Sequence, residues 1–186
     1  MNTHLEGLQK NIREIIAGLG ENIDREGLLK TPERAAKALV FLTSGYREEK
    51  EVLDDCARAI FNENVHSIVA INTIEFHSLC EHHLLPFCGH VSISFLPNKS
   101  GKILGLSKFA RLVDVYSRRL QVQERLVQDI SNAAWKLLKP QGLAVRIEAK
   151  HMCMMIRGVE KQSSATVTYL YRGKKEIEQS IKSEMR

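Results

Sequence analysis

Between His4 and Leu19 the apolar residues Leu5, Leu8, Ile12, Ile15, Ile16 and Leu19 recur at helical intervals, and Gly18 and Gly20 break the run. This predicts an amphipathic helix. Thr31-Pro32 reads as an N-cap followed by proline at the first helical position, opening a helix through Ala35, Ala36, Leu39, Val40 and Leu42 that stops near Ser44-Gly45. A third helical stretch is expected from about Glu49 to Phe61. The period then shortens. Ser67 to Phe76 is β-branched and nearly continuous in apolar character, which predicts a strand running straight into the turn at Cys80. After Pro86, His90 to Leu96 alternates, with Val91, Ile93 and Phe95 on one face and Ser92 and Ser94 on the other, and Pro97-Asn98-Lys99-Ser100-Gly101 closes it as a turn.

Ser107 is placed to cap a helix carrying Phe109, Leu112, Val113 and Tyr116, with Lys108 and Arg111 one turn apart near its positive end, an anion site in outline. A second helix from about Gln123 buries Leu126, Val127, Ile130, Ala133, Ala134 and Leu137 and ends before Lys139-Pro140-Gln141-Gly142, with Trp135 in the core or at an interface. The strand from Leu143 to Cys153 puts Leu143, Val145, Ile147, Ala149, His151 and Cys153 on one face. A last strand, Ala165 to Tyr171, precedes a polar tail with Ile177 and Ile181 at helical spacing. The order after the N-terminal helices is β-β-α-α-β-β. The fold class is therefore α+β, a small antiparallel sheet with two helices on one face. The expected division is an N-terminal helical region over 1–64, used for packing and interface, a catalytic domain over 65–173 and a C-terminal tail over 174–186. Such a sheet has open edges, so sheets of several chains are expected to join side by side into an oligomeric barrel.

At 186 residues the chain suits one domain with an adequate core. No apolar run reaches the length of a membrane span, and the first residues lack the basic flank and apolar core of a signal peptide, so a cytoplasmic location is expected. Four cysteines there read as thiols or ligands rather than disulfides. A net charge of +5 and a pI near 9.1 point to an anionic partner, either nucleic acid or a small polyphosphate.

The chemistry gathers at Ser78-Leu79-Cys80-Glu81-His82-His83 and at His151-Met152-Cys153. Cys80 and His83 are three apart, a spacing that brings a thiolate and an imidazole to one side of a single helical turn. His151 and Cys153, two apart in a β-patterned run, leave the same face of a strand. Cys80, His83 and Cys153 can then hold zinc with the fourth tetrahedral position left for water, the arrangement of a catalytic site. His82 and His151 remain beside the metal, unligated. A competing local site would use Cys88 and His90 to complete four ligands with Cys80 and His83, and spacing alone does not choose between the two. Cys56 reads as a small packed hydrophobe.

Together with Gly105-Leu106-Ser107-Lys108, Gln121-Val122-Gln123-Glu124-Arg125-Leu126 and Arg157-Gly158-Val159, these segments resemble the GTP cyclohydrolase I family over roughly residues 28 to 173. The resemblance implies the tunnelling fold and a homodecamer of two stacked pentamers with sites at subunit boundaries. It implies conversion of GTP to formate and 7,8-dihydroneopterin triphosphate, at the head of folate or pterin synthesis. It also makes Cys80, His83 and Cys153 the Zn2+ ligands, and leaves Cys88 as a packing residue. His82 becomes the acid that protonates N7 of the purine, and His151 assists later proton transfers. Glu124, with Gln123 as its neighbour, is matched to the guanine edge, and Ser107, Lys108, Arg111 and Arg157 to the triphosphate. Basic residues around a nucleotide pocket account for the pI, so neither nucleic acid nor membrane is expected as a partner. Two rivals make different demands. A tunnelling-fold nitrile reductase of queuosine synthesis would use a cysteine nucleophile and NADPH without zinc, and a non-catalytic zinc-stabilised nucleic-acid-binding module would bind duplex and turn nothing over.

Overall fold

Two helices open the chain, α1 (Asn2–Gly18) and α2 (Thr31–Leu42), in a computed structural model that describes residues 2–185. They pack on each other within one compact unit, Met1–Ser44. Ile16 is buried and Leu5, Leu8 and Ile12 half-buried, whereas Ile15 and Leu19 are exposed. Thr31 does not cap α2. Its hydroxyl donates back to the Gly27 carbonyl at 3.3 Å, and Arg34 N–H reaches Lys30 O, so the cap position falls on Lys30 with Pro32 in the first turn.

The second unit, Gly45–Arg186, begins with α3 (Gly45–Arg58), which starts and ends earlier than its apolar spacing suggests. It stops because Ala59 O accepts from Gly105 N–H, and the chain turns into β1 (Ile60–Asn62). There follow β2 (Val69–Cys80), β3 (Pro86–Leu96), β4 (Lys102–Leu104), α4 (Leu106–Ser117), β5 (Leu120–Gln121), α5 (Gln123–Leu138), β6 (Gly142–His151), α6 (Met152–Met155), β7 (Thr166–Gly173) and α7 (Glu178–Ser183). The five-stranded sheet runs β5-β2-β3-β6-β7, antiparallel except for the short parallel pairing of β5 with β2, and β1 pairs with β4 separately. The expected β-β-α-α-β-β core is β2-β3-α4-α5-β6-β7.

Alternation decides which side of the sheet is core. Phe76, Phe87, Val91, Ile93, Phe95, Leu143, Val145 and Ile147 point to the face covered by α4 and α5, where they meet Phe109, Leu112, Leu126 and Ile130, all at most 1% exposed. The opposite face is divided. At one end α7 closes it, with Ile181 fully buried over Gly142, and Ser92 and Ser94 are buried too rather than lying on a wet face. The other end carries Glu75, His77, Cys88, His90, Glu148 and Lys150 around an open cleft of about 450 Å³. Two sites depart from the sequence reading. Ser107 lies inside α4, whose N-cap is Gly105, because Lys108 N–H already bonds Gly105 O. Cys153 lies on the helical turn α6 rather than in the strand, because β3 begins at Pro86 and offers no ladder beyond His151. No helix among the described residues is long and apolar enough to cross a membrane.

Candidate metal centre and nucleotide site

β2 delivers Cys80 at its last residue, and the chain then doubles back. Leu84 N–H and His83 N–H both return to Cys80 O, at 2.8 and 3.4 Å, with Leu84 at a positive φ of 55°. The turn is held from the side by Glu81 N–H donating to Gln121 O at 3.0 Å, next to the Cys80 and Gln121 bridge of the parallel pair. α6 brings Cys153 against this turn. One ligand atom each from Cys80, His83 and Cys153 lie within 4.8 Å of one another, the one such group among the described residues. The Nδ1 atoms of His82 and His83 are 3.8 and 3.9 Å from the Cys80 sulfur, so convergence with Cys153, not distance to Cys80, singles out His83.

Cys88 and His90 do not join this group. They sit on β3 opposite Lys150 and Glu148, on the face away from Phe87, while Phe87 stacks on His151 with ring centres 4.6 Å apart. The local four-ligand alternative is thus excluded by strand alternation. Cys56 is fully buried, with its sulfur 3.7 Å from Lys108 O, as its packing role requires.

The donor set fits zinc, since two thiols and an imidazole with ligand atoms within 4.8 Å of one another suit a borderline-soft ion that takes four ligands. Burial pushes the Cys153 thiol up, and the neighbouring Cys80 pushes it further. A cation bound between them would favour the thiolate form of both.

His151 is half-buried, and desolvation lowers its pKa against the opposing pull of Glu124. Its Nε2 lies 2.8 Å from Gln123 Oε1. Gln123 itself is 1% exposed and is tied to β6 and β7 through its amide nitrogen. Glu124 stands beside it, exposed in the first turn of α5. His82 is 63% exposed, with its Nε2 3.9 Å from Glu81 Oε1.

The expected anion site is organised differently. Lys108 Nζ and Arg111 Nη1 both converge on one oxygen of Asp55, at 2.6 and 2.8 Å, which ties α4 to α3. Ser107 and Arg157 are exposed, the latter just past α6. Asp55 escaped the sequence reading because nothing in its own helix marks it and Lys108 lies 53 residues away. Glu81 and Arg125 were also passed over. They form an ion pair, with Arg125 Nε donating to Gln121 Oε1 at 2.8 Å, and their places inside the two quoted motifs were the available signal.

The sequence model of the GTP cyclohydrolase I family matches residues 8–186. GTP cyclohydrolase 1 of Chromohalobacter salexigens is 52% identical over 168 residues, covering 90% of this chain and 89% of that one. GTP cyclohydrolase 1 of Chlorobium phaeovibrioides is 49% identical over 164 residues, covering 88% of this chain and 72% of the relative. The crystal structure of the archaeosine synthase QueF-Like in the apo form covers 58% of this chain and 95% of its own at 20% identity, with a TM-score of 0.46, a likeness too slight to bear on function. About half of the aligned residues are shared with these relatives, and the family model spans every element that carries the Cys80, His83 and Cys153 group. The chain belongs to the GTP cyclohydrolase I family.

Proposed function

We propose that this chain hydrolyses GTP at C8 of the purine, giving formate and 7,8-dihydroneopterin triphosphate, with zinc held by Cys80, His83 and Cys153. Family membership makes it an enzyme of this class, and the convergence of those three side chains within 4.8 Å is the observation that carries the detailed reading. A zinc ion bound there supplies Lewis acidity and brings the pKa of a coordinated water toward neutrality.

The chain's own residues do the rest. His82, exposed beside the ligand cluster, is the acid that protonates N7 as the imidazole ring of the purine opens. His151, whose pKa burial lowers, moves protons in the later steps. Glu124 offers two acceptor oxygens to the N1-H and N2-H donors of guanine, and Gln123 supports the same pocket from behind. Ser107, Lys108, Arg111 and Arg157 meet the triphosphate. This placement accounts for the surplus of positive charge without nucleic acid. A cytosolic location, where GTP is made and thiols stay reduced, suits such a site.

Along the chain, Lys108 and Arg111 stand well apart from the metal ligands. Lys108 lies in the first turn of α4, and the chain reaches Gln121, the neighbour of Cys80, only beyond the far end of that helix. The stretch from Lys108 to Ser117 alone spans roughly 14 Å of helix. We read the phosphate cations and metal ligands serving one nucleotide as contributed by different copies of the chain, at subunit boundaries of a decamer of two pentamers.

The test is incubation of zinc-replete protein with GTP, followed by assay for formate and for pterin fluorescence after oxidation. Both are expected. Absence of both under zinc-replete conditions would overturn the reading.

A further inference from the structure

Gln123 is an unusual group to find wholly buried beside a site, and every polar atom of its side chain is accounted for. Its amide nitrogen donates to Ile147 O at 3.1 Å, to Thr166 O at 3.0 Å and to Thr168 Oγ1 at 3.2 Å. Two of these are backbone carbonyls, which only accept. An amide turned the other way would set its oxygen against both, so the orientation is imposed by β6 and β7. The oxygen then has one direction left, toward His151, whose Nε2 stands 2.8 Å away. An amide oxygen cannot donate, so the bond exists only if Nε2 carries the proton. In a neutral imidazole the lone pair then belongs to Nδ1.

Two contacts keep the ring from escaping this choice. Phe87 lies flat on His151, with an interplanar angle of 4°, and restricts tilting. Turning the ring over would put a carbon opposite Gln123 Oε1 and forfeit the bond, leaving a buried acceptor unpaired.

We propose that Gln123 is a positioning residue that holds His151 in its Nε2-H tautomer, so that Nδ1 is the ring nitrogen offered to the reacting nucleotide. This rests on the reading of His151 as a proton-transfer residue, and it assigns Gln123 a role through His151 rather than through contact with the base.

The tautomer is measured directly on the zinc-loaded protein labelled with ¹⁵N-histidine, the His151 signals being identified by their loss in His151→Asn. A protonated Nε2 and an unprotonated Nδ1 are expected, and a protonated Nδ1 with a bare Nε2 would overturn the proposal. Gln123→Leu keeps the volume but removes the acceptor. Its kcat with GTP should fall by about 10–100-fold, as for other partners that orient an active-site imidazole, while KM and zinc content stay near those of the parent. A rise in KM with kcat unchanged would assign Gln123 to base recognition instead and sink the idea. Should Gln123→Leu fail to fold, Thr168→Val removes one anchor of the amide and is expected to broaden or mix the His151 tautomer signals; an unchanged spectrum with unchanged kcat would count against the anchoring argument. The tautomer is read without turnover, so failure of the GTP reaction itself would show separately in the formate assay.

Discussion

His82 and His83 are almost equally near the Cys80 sulfur, but only His83 converges with Cys153, the basis of the different roles proposed for them. His83→Ala should lose most bound zinc, as should Cys80→Ala and Cys153→Ala, since two remaining protein ligands make an incomplete shell. His82→Ala should keep its zinc and bind GTP while formate release slows by on the order of 10²–10⁴, the usual worth of a positioned acid. Metal analysis and single-turnover formate assays on both variants decide the matter, and a zinc-free His82→Ala beside a zinc-replete His83→Ala would exchange the roles. Glu124→Gln tests the base contact. It removes a charged acceptor worth roughly 1.5–3 kcal/mol per bond, so GTP affinity should drop with zinc unaffected, and calorimetric binding equal to the parent would remove Glu124 from the pocket.

At the scale of elements, what matters is how the helices are tied to the sheet. α7 is held by Ile181, whose side chain fills the space that Gly142 leaves open on β6. Ile181→Ala should cost about 2–5 kcal/mol, as for other fully buried aliphatic truncations, read as a lower denaturation midpoint. The tie between α3 and α4 is electrostatic. The hydrogen bond from Lys108, with Arg111 beside it, holds the Asp55 carboxyl below its usual range. A lowered native pKa means stabilisation that is complete above the unfolded value, about 3.9, and is lost as the pH falls through the native value. Asp55→Asn should therefore be less stable than the parent at neutral pH, by a modest amount for a part-exposed pair, and the two melting curves should converge in acid. A gap that persisted in acid would show that Asp55 acts by packing rather than charge.

For the whole molecule, the decisive point is that the second unit carries every proposed site residue, with Ser107, Lys108 and Arg111 at the start of α4 and Cys80 at the end of β2, beside Gln121. β7 is an outer strand, and Leu106, Ile156, Val159 and Val167 are exposed apolar side chains. Association that covers the edge would also bring one chain's cations to another's metal. Activity should therefore fall on dilution in step with dissociation followed by sedimentation, and a stable, fully active monomer would contradict shared sites.

Much of this architecture was legible from local pattern. Period-two alternation in β3 and β6 and helical spacing in α4 and α5 report which faces are buried, and burial is what a hydrophobic pattern encodes. By type and spacing Cys80, His83 and Cys153 were one of two candidate ligand sets, and the family resemblance chose them over the local set with Cys88 and His90, but the reasons for their convergence were not legible. Cys153 reaches the cluster from a helical turn because β3 begins at Pro86, a fact about a partner strand far off in sequence. The same holds for Lys108 and Arg111, engaged by Asp55, and for Gln123, fastened by β6 and β7. Residue type and periodicity alone determined the fold class, the core faces and the candidate ligands. Hydrogen-bond partners, the ends of elements and the orientation of His151 were decided only in the tertiary structure, because each depends on a group that folding, not sequence proximity, brings within 3 to 4 Å.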